Sequence, residues 1–291
     1  MQRGNTVGMS TVAETTTADQ PLEIDRAEIR RAIYEEGVIG RRGAFSREWV
    51  ATLAEDVDAA FAEALTRPGG AVGRGPNRYY VEIHPQALRG FVDIATHPWI
   101  TAATEAVLGP DYLITEVGFD VPGHGAMNQP WHRDFPMPEE TRRERRLTSL
   151  HFNITAVDTE DDMGPFEVAP GTQWDDGEEF HHGMFPPKTL YPRYEERAVR
   201  RFPQMGDVSA RTALTLHRGT KHASLKRRPV VVIGMDGPDG TNFERHDMAV
   251  TRDYWDALPE SVRRHLACPV VDALAPISQK HTIEGLVMGE A

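Results

Sequence analysis

His132 and Asp134 stand two residues apart in the stretch Gln129-Pro-Trp-His-Arg-Asp-Phe135, between Pro130 and Pro136. In an extended backbone, side chains at i and i+2 project from one face. An imidazole and a carboxylate can therefore leave one strand end together as adjacent metal ligands. The spacing alone is common, and a surface His–Asp hydrogen bond accounts for the pair by itself better than a metal does. A second stretch, His217-Arg-Gly-Thr-Lys-His-Ala-Ser-Leu-Lys-Arg-Arg228, can add a third ligand and an anchoring cation. Two histidines and one carboxylate on one side of a metal leave three positions open, an arrangement that suits non-haem Fe(II) oxygenases. Zinc accepts the same ligands, so ligand type leaves the metal open. Arg228 follows His217 by eleven positions. An arginine at that offset can lie on the next strand of a hairpin and face the same cavity. There its planar fork would hold the distal carboxylate of a dicarboxylate such as 2-oxoglutarate.

These residues need strands to carry them. From Leu147 to Val157 the pattern alternates, with His151, Asn153 and Thr155 on one side and Leu150, Phe152, Ile154 and Ala156 on the other. Such a strand fits a wall between a core and a wet cavity. Leu113 to Asp120 reads as a strand, and Pro122-Gly-His-Gly125 turns the chain toward His132. Phe166 to Ala169, Val208 to Leu216 and Pro229 to Met235 read as further strands. Gly73 to Tyr80 is a loop entering a strand, with Arg74, Asn77 and Arg78 able to line a pocket mouth or to serve as ordinary turn residues. Helices come first. Ile29, Ile33 and Tyr34 mark one that breaks at Glu36-Gly37, and Ser46 caps a second whose inner face is Val50, Leu53, Val57, Phe61 and Leu65. His97-Pro98 opens a helix running through Leu108, and Asp253 to Leu266 reads as helical. Helices followed by many short strands predict a mainly β fold, a barrel or jelly roll with flanking helices. No Gly-x-Gly-x-x-Gly, Walker-type Gly-Lys-Ser/Thr or Gly-x-Ser-x-Gly motif points elsewhere.

The 291 residues show no repeat and no strong linker. Residues 23–291 are expected to form a single domain, residues 1–22 a disordered leader (with Met9 an alternative start), and residues 175–204 a lid-like insertion. The net charge of −12 argues against a nucleic-acid partner, and no window reaches the ~20 apolar residues of a membrane span. Cys268 is the single cysteine, which excludes an intrachain disulfide and suits the cytoplasm; with no base beside it, it reads as inert. Glu139 to Arg146 reads as a solvated helix with i,i+4 ion pairs. His181 and His182 are adjacent, so they diverge on a strand and make no second metal site. Trp131 and Phe135 read as packing residues, and His151 either touches substrate or is a satisfied wall histidine.

The Gln-Pro-Trp-His-Arg-Asp run, the turn Gly164-Pro-Phe-x-Val-x-Pro-Gly171 and His-Arg-Gly-Thr…Ser…Arg-Arg-Pro resemble the phytanoyl-CoA dioxygenase-like group of Fe(II)/2-oxoglutarate oxygenases, from about Asp25 to about Met235. The resemblance implies a double-stranded β-helix that uses Fe(II), 2-oxoglutarate and O2. It implies His132, Asp134 and His217 as iron ligands and Arg228 as the 2-oxoglutarate anchor, with Arg227 as runner-up. It places Asn153 near 2-oxoglutarate, with Gln129 and Thr148 as weaker candidates for the same shell. Two departures stand out. His222 occupies a position where many relatives carry Asn, which makes it a rival ligand. Gly219 replaces a frequent Ser, so that hydrogen bond is expected from Thr220. A carboxylate at Asp134, rather than Gly or Ala, argues against a halogenase. The expected reaction is hydroxylation of an unactivated C–H in a small polar metabolite or natural-product intermediate, with succinate and CO2 as co-products. Desaturation, cyclisation, epimerisation and a catalytically silent metal-binding barrel are the alternatives. The expected partner is a small-molecule substrate, and residues 269–291 pack on the barrel or on a second subunit, as in a homodimer.

Overall fold

Asp25 accepts hydrogen bonds from the backbone N–H groups of Ala27 and Glu28 and starts α1 (Arg26–Glu35), which buries Ile29 and Ile33. Gly37 ends the helix with φ 81, and β1 (Val38–Arg41) follows. Ser46 caps α2 (Arg47–Ala64) through the Trp49 N–H, with Val50, Leu53, Val57 and Phe61 turned inward. Leu65 departs from that face: as the C-cap it is 54% exposed. The computed structural model describes residues 24–279, so the expected leader at 1–22 and the segment after 279 lie outside the described residues.

The chain continues through β2 (Val72–Gly73), β3 (Arg78–Glu82), α3 (Phe91–Ala95), α4 (Pro98–Leu108), β4 (Leu113–Pro122), α5 (Glu139–Glu144), β5 (Ser149–Thr155) and β6 (Phe166–Val168). It then forms α6 (Tyr191–Glu195), β7 (Val199–Arg201), β8 (Val208–Thr212), β9 (His217–Gly219), β10 (Val230–Asp236), β11 (Val250–Thr251), α7 (Arg252–Ala257), α8 (Glu260–Arg263) and β12 (Val270–Val271). The main sheet has seven strands in the order β1-β8-β5-β10-β4-β3-β2, and a second sheet has three in the order β7-β6-β9. All pairs in these two sheets are antiparallel. The fold is mainly β with flanking helices, as in a jelly roll, but among the described residues no sheet closes into a barrel.

The two faces of the main sheet differ as the β5 alternation predicts. Leu150, Phe152 and Ile154 pack with Val231 and Ile233 of β10 and Val117 and Phe119 of β4 in a core that includes Trp99, Ile100 and Val107 of α4. Each fully buried aliphatic or aromatic side chain there contributes on the order of 1.5–3 kcal/mol. This apolar backing fixes the sheet whose other face carries His151, Asn153 and Thr155 into a cavity.

Several expectations are corrected. The strand at Val208 stops at Thr212, because the chain turns before re-entering as β9. The helical stretch after Asp253 is broken at Leu258-Pro259 into α7 and α8, since proline cannot continue the first helix. Residues 175–204, expected as a lid-like insertion, hold a short 3-10 turn at Lys188–Leu190, then α6 and β7. Tyr194 and Phe180 from this segment pack with Trp131 and Leu216 in a second apolar cluster. The acidic-basic run does form a short solvated helix, α5, but among the described residues none of its ion pairs runs i,i+4. Arg142 meets Glu139 at i,i+3, Arg143 meets Glu144 at 2.9 Å, and others reach across to Asp176 (3.0 Å from Arg142) and Asp239 (2.8 Å from Arg146). No helix among the described residues is long and apolar enough to cross a membrane.

Candidate metal centre

A backbone pair sets the site. The His132 N–H donates to the His217 carbonyl at 3.0 Å and the His217 N–H donates back to His132 at 2.9 Å, while the Asp134 N–H is held by Ala213 at 2.8 Å. The two imidazoles thus face each other with ring centroids 4.4 Å apart. His132 Nδ1 donates to the Pro130 carbonyl and His217 Nδ1 to the Thr215 carbonyl, each at 2.9 Å. Those bonds fix both tautomers and leave each Nε2 bare. One ligand atom from each of His132, Asp134 and His217 lies within 4.8 Å of the others.

The electrostatics match this geometry. Burial, reinforced by the neighbouring His217, pushes the His132 imidazole down to about 3. Burial and then Arg211 lower His217 as well. Both rings are therefore neutral at neutral pH, the form that binds a metal. Burial would raise the Asp134 carboxyl, but Arg211, His217 and His151 together hold it well below its usual range. Asp134 Oδ1 lies 3.5 Å from His217 Nε2, whereas Oδ2 accepts from Arg211 Nη1 and, at 3.0 Å, from His151 Nδ1. One carboxylate oxygen is thus free for an ion and the other is tied to the wall. The residues present fit an Fe(II)-sized hard-to-borderline cation with open positions.

The ligands open on a cavity of about 660 Å³ lined from both sheets, with Phe166 and His217 on one side and Arg211, His151, Asn153 and Val232 on the other. Arg228 also lines it, 4% exposed, with Nε and Nη2 donating to the carbonyls of Met163 and Gly164. Burial, with Arg78 next, pushes its guanidinium down to about 10, which leaves it a cation at neutral pH. Arg227 points away and pairs with Asp58 at 3.1 Å.

A model of the family described as Phytanoyl-CoA dioxygenase (PhyH) matches residues 33–230. The chain belongs to the phytanoyl-CoA dioxygenase family. Enzymes of this family depend on Fe(II) and 2-oxoglutarate. A search of curated proteins finds no match. Among solved structures, the epimerase SnoN in complex with Fe3+, alpha ketoglutarate and nogalamycin RO is 17% identical with TM-score 0.60, covering 90% of this chain and 97% of that one. AviO1 from Streptomyces viridochromogenes Tue57 is 17% identical with TM-score 0.58, covering 76% and 98%. The non-heme alpha ketoglutarate dependent carbocyclase SnoK from nogalamycin biosynthesis is 19% identical with TM-score 0.56, covering 76% and 90%. At these identities the likeness shows a shared fold.

Within this phytanoyl-CoA dioxygenase-family chain, the remaining residues singled out in the sequence divide clearly. Gln129 lines the cavity and its Oε1 accepts from the Gly219 N–H at 2.8 Å. Asn153 lines it too, with Oδ1 unpartnered. Thr148 and Thr220 do not reach it: the Thr220 hydroxyl donates to Pro165 at 2.8 Å, and Thr148 offers its carbonyl to Gly237. His222 is fully buried outside the ligand cluster, and neither ring nitrogen has a partner. Trp131 is a buried packing residue as expected, and Phe135 packs against the main core as expected while also lining the cavity.

Two arginines matter more to the site than the sequence alone suggests. Arg211, unmentioned there, is the Asp134 partner; its signal is parity, since Ser209 and Arg211 alternate with Val208, Ala210 and Thr212. Arg78, read as either a mouth residue or an ordinary turn residue, lines the cavity from its depth, 1% exposed and bonded to Asp120 at 3.2 Å and the Thr220 carbonyl at 3.1 Å. It pairs in register with Pro122, whose carbonyl accepts the Arg228 N–H, so the two arginines flank β4 at one level. A Cβ at Gly219 would overlap the Arg78 guanidinium. The Gly that replaces the frequent Ser makes room for a buried cation.

Proposed function

We propose that this oxygenase-family chain hydroxylates an unactivated C–H bond of a small polar metabolite or natural-product intermediate, using Fe(II), 2-oxoglutarate and O2. The observation that carries this is the convergence of a neutral His132–His217 pair, ionised Asp134 and buried Arg228 on one cavity. Bound Fe(II) with 2-oxoglutarate supplies oxygen activation coupled to decarboxylation of the co-substrate to succinate and CO2. His132, Asp134 and His217 would hold the metal. Arg228, with Arg78 beside it, receives the distal carboxylate of 2-oxoglutarate, because two buried guanidinium groups share one counter-charge, Asp120. Asn153 and Gln129 complete the polar rim of that pocket, and the unpartnered Asn153 Oδ1 is an acceptor awaiting a ligand.

Substrate then occupies the part of the cavity near Asp134, walled by Phe135, Met184 and Phe185. These apolar groups exclude water from the reacting centre, and the packed segment 175–204 holds Met184 and Phe185 in place. A volume of about 660 Å³ is in the range of small-molecule sites. Tyr80, Arg74 and Arg245 also line it, which favours a polar substrate over a long acyl chain. Epimerisation or ring closure is the second reading, favoured by the fold shared with SnoN and SnoK.

Anaerobic titration with Fe(II) and 2-oxoglutarate tests the class. The expected result is the weak visible charge-transfer band of the chelate, followed in air by succinate. A protein giving neither band nor succinate would overturn the proposal.

A further inference from the structure

Behind Asp134 a polar row crosses the main sheet. Arg211 on β8 pairs in register with His151 on β5, His151 pairs with Gly234 on β10, and Gly234 pairs with Glu116 on β4. His151 Nδ1 reaches Asp134 Oδ2 at 3.0 Å, and its Nε2, which makes no hydrogen bond, faces Glu116 Oε2 at an ion-pair distance of 3.5 Å. Tyr80 Oη, from β3, donates to Glu116 Oε1. All of these side chains line the cavity.

Two glycines make the convergence possible. A Cβ at Gly234 would lie 2.8 Å from Glu116 Cβ and Oε2 and 3.5 Å from His151 Cδ2. A Cβ at Gly118 would lie 2.5 Å from Tyr80 Oη and 2.8 Å from the Val81 carbonyl. Glycine in a strand interior is unfavourable by itself and marks a close approach. Here the gap at Gly118 admits Tyr80, which reaches over β4 to Glu116, and the gap at Gly234 admits Glu116 itself, which leans over β10 toward His151. Burial raises the Glu116 carboxyl, but His246 and His151 outweigh it, so Glu116 stays an ionised acceptor.

We infer that Glu116 is a positioning residue for the metal: through His151 it fixes Asp134 Oδ2, so that Asp134 presents Oδ1 alone to the ion. The inference rests on the metal reading of His132, Asp134 and His217. Tyr80 secures Glu116 from the far side, and Arg211 holds Asp134 from the near side. The row is thus a brace spanning five strands, from Arg211 on β8 beside the ligand to the Tyr80 phenol on β3. Partners of this kind orient a ligand, and their loss costs about 10–100-fold in metal affinity.

Co(II) binding under anaerobic conditions is the test, read by its dissociation constant and by the d–d absorption of the bound ion. Glu116→Gln and Gly234→Ala are expected to raise the dissociation constant about 10-fold or more and to alter the d–d spectrum, since Asp134 is freed to turn. A folded Glu116→Gln protein with wild-type affinity and spectrum would overturn the inference. If Glu116→Gln and Gly234→Ala fail to fold, Tyr80→Phe removes one hydroxyl only. A shifted Co(II) spectrum there supports the brace, and an unchanged spectrum and affinity sink it. A purely structural role would lower the melting temperature and leave the spectrum alone. Wild-type protein that binds no Co(II) would remove the metal reading itself, whereas wild-type binding with unaffected variants removes only the brace.

Discussion

Residue by residue, the site separates what holds the metal from what holds the co-substrate. His132→Ala and Asp134→Ala should each abolish succinate formation, because either change removes a donor that nothing else in the cluster replaces; near-wild-type turnover in either would refute the ligand assignment. Arg228→Ala should strip the visible chelate band at 2-oxoglutarate concentrations that saturate the wild type, yet leave Co(II) binding intact. Arg78 carries a sharper expectation. Arg78→Met should raise the 2-oxoglutarate dissociation constant on the order of 10-fold, the scale of one charge-assisted hydrogen bond. Gly219→Ser should do the same without touching a charge, because its Cβ overlaps the Arg78 guanidinium. Unchanged 2-oxoglutarate affinity in both would restrict Arg78 to its ion pair with Asp120. His132, Asp134, His217 and Arg228 were legible in the sequence because their chemistry survives without register. Arg78 was legible as a pocket-lining candidate and does line the cavity, but its depth was not, since that depends on a glycine in another strand.

At the scale of elements, β5 was readable because a strand between core and cavity must alternate, and His151, Asn153 and Thr155 do line the cavity. The glycines at 118 and 234 look like weak points in a strand until pairing shows what passes over them. Sequence periodicity also says little about strand ends, and β10 offers an example. Its last residue, Asp236, is fully buried; Oδ2 accepts from the Asn242 N–H at 2.8 Å and Oδ1 has no partner. Burial pushes its carboxyl up to about 6. A carboxyl whose folded value is raised stabilises the fold when protonated. That contribution is present below about pH 4 and is lost as pH rises through about 6. Asp236→Asn, which keeps an acceptor and cannot ionise, should therefore match the wild type near pH 4. By pH 8 it should be more stable by roughly 1–3 kcal/mol, at about 1.4 kcal/mol per unit. Urea unfolding at the two pH values decides this, and a constant difference between them would exclude the buried charge as its cause.

For the whole molecule, the family fold persists at 17% identity because the sheet order and its apolar backing need only patterned residues. The net charge of −12 bears directly on substrate choice. A thioester of coenzyme A carries several negative charges of its own, so its approach is opposed over a Debye length of about 10 Å at 0.1 M salt. An acyl chain would also have to strip water from Arg74 and Arg245 in the cavity wall without bonding them. A compact polar molecule pays neither penalty. Substrate-dependent succinate release is therefore expected from neutral or polar small molecules in a metabolite panel. Acyl-CoA thioesters should leave release at the uncoupled background, and any weak response to them should grow with added salt. Saturable, salt-independent stimulation by an acyl-CoA would overturn the polar-substrate proposal while leaving the iron site standing, because the two depend on different walls of one cavity.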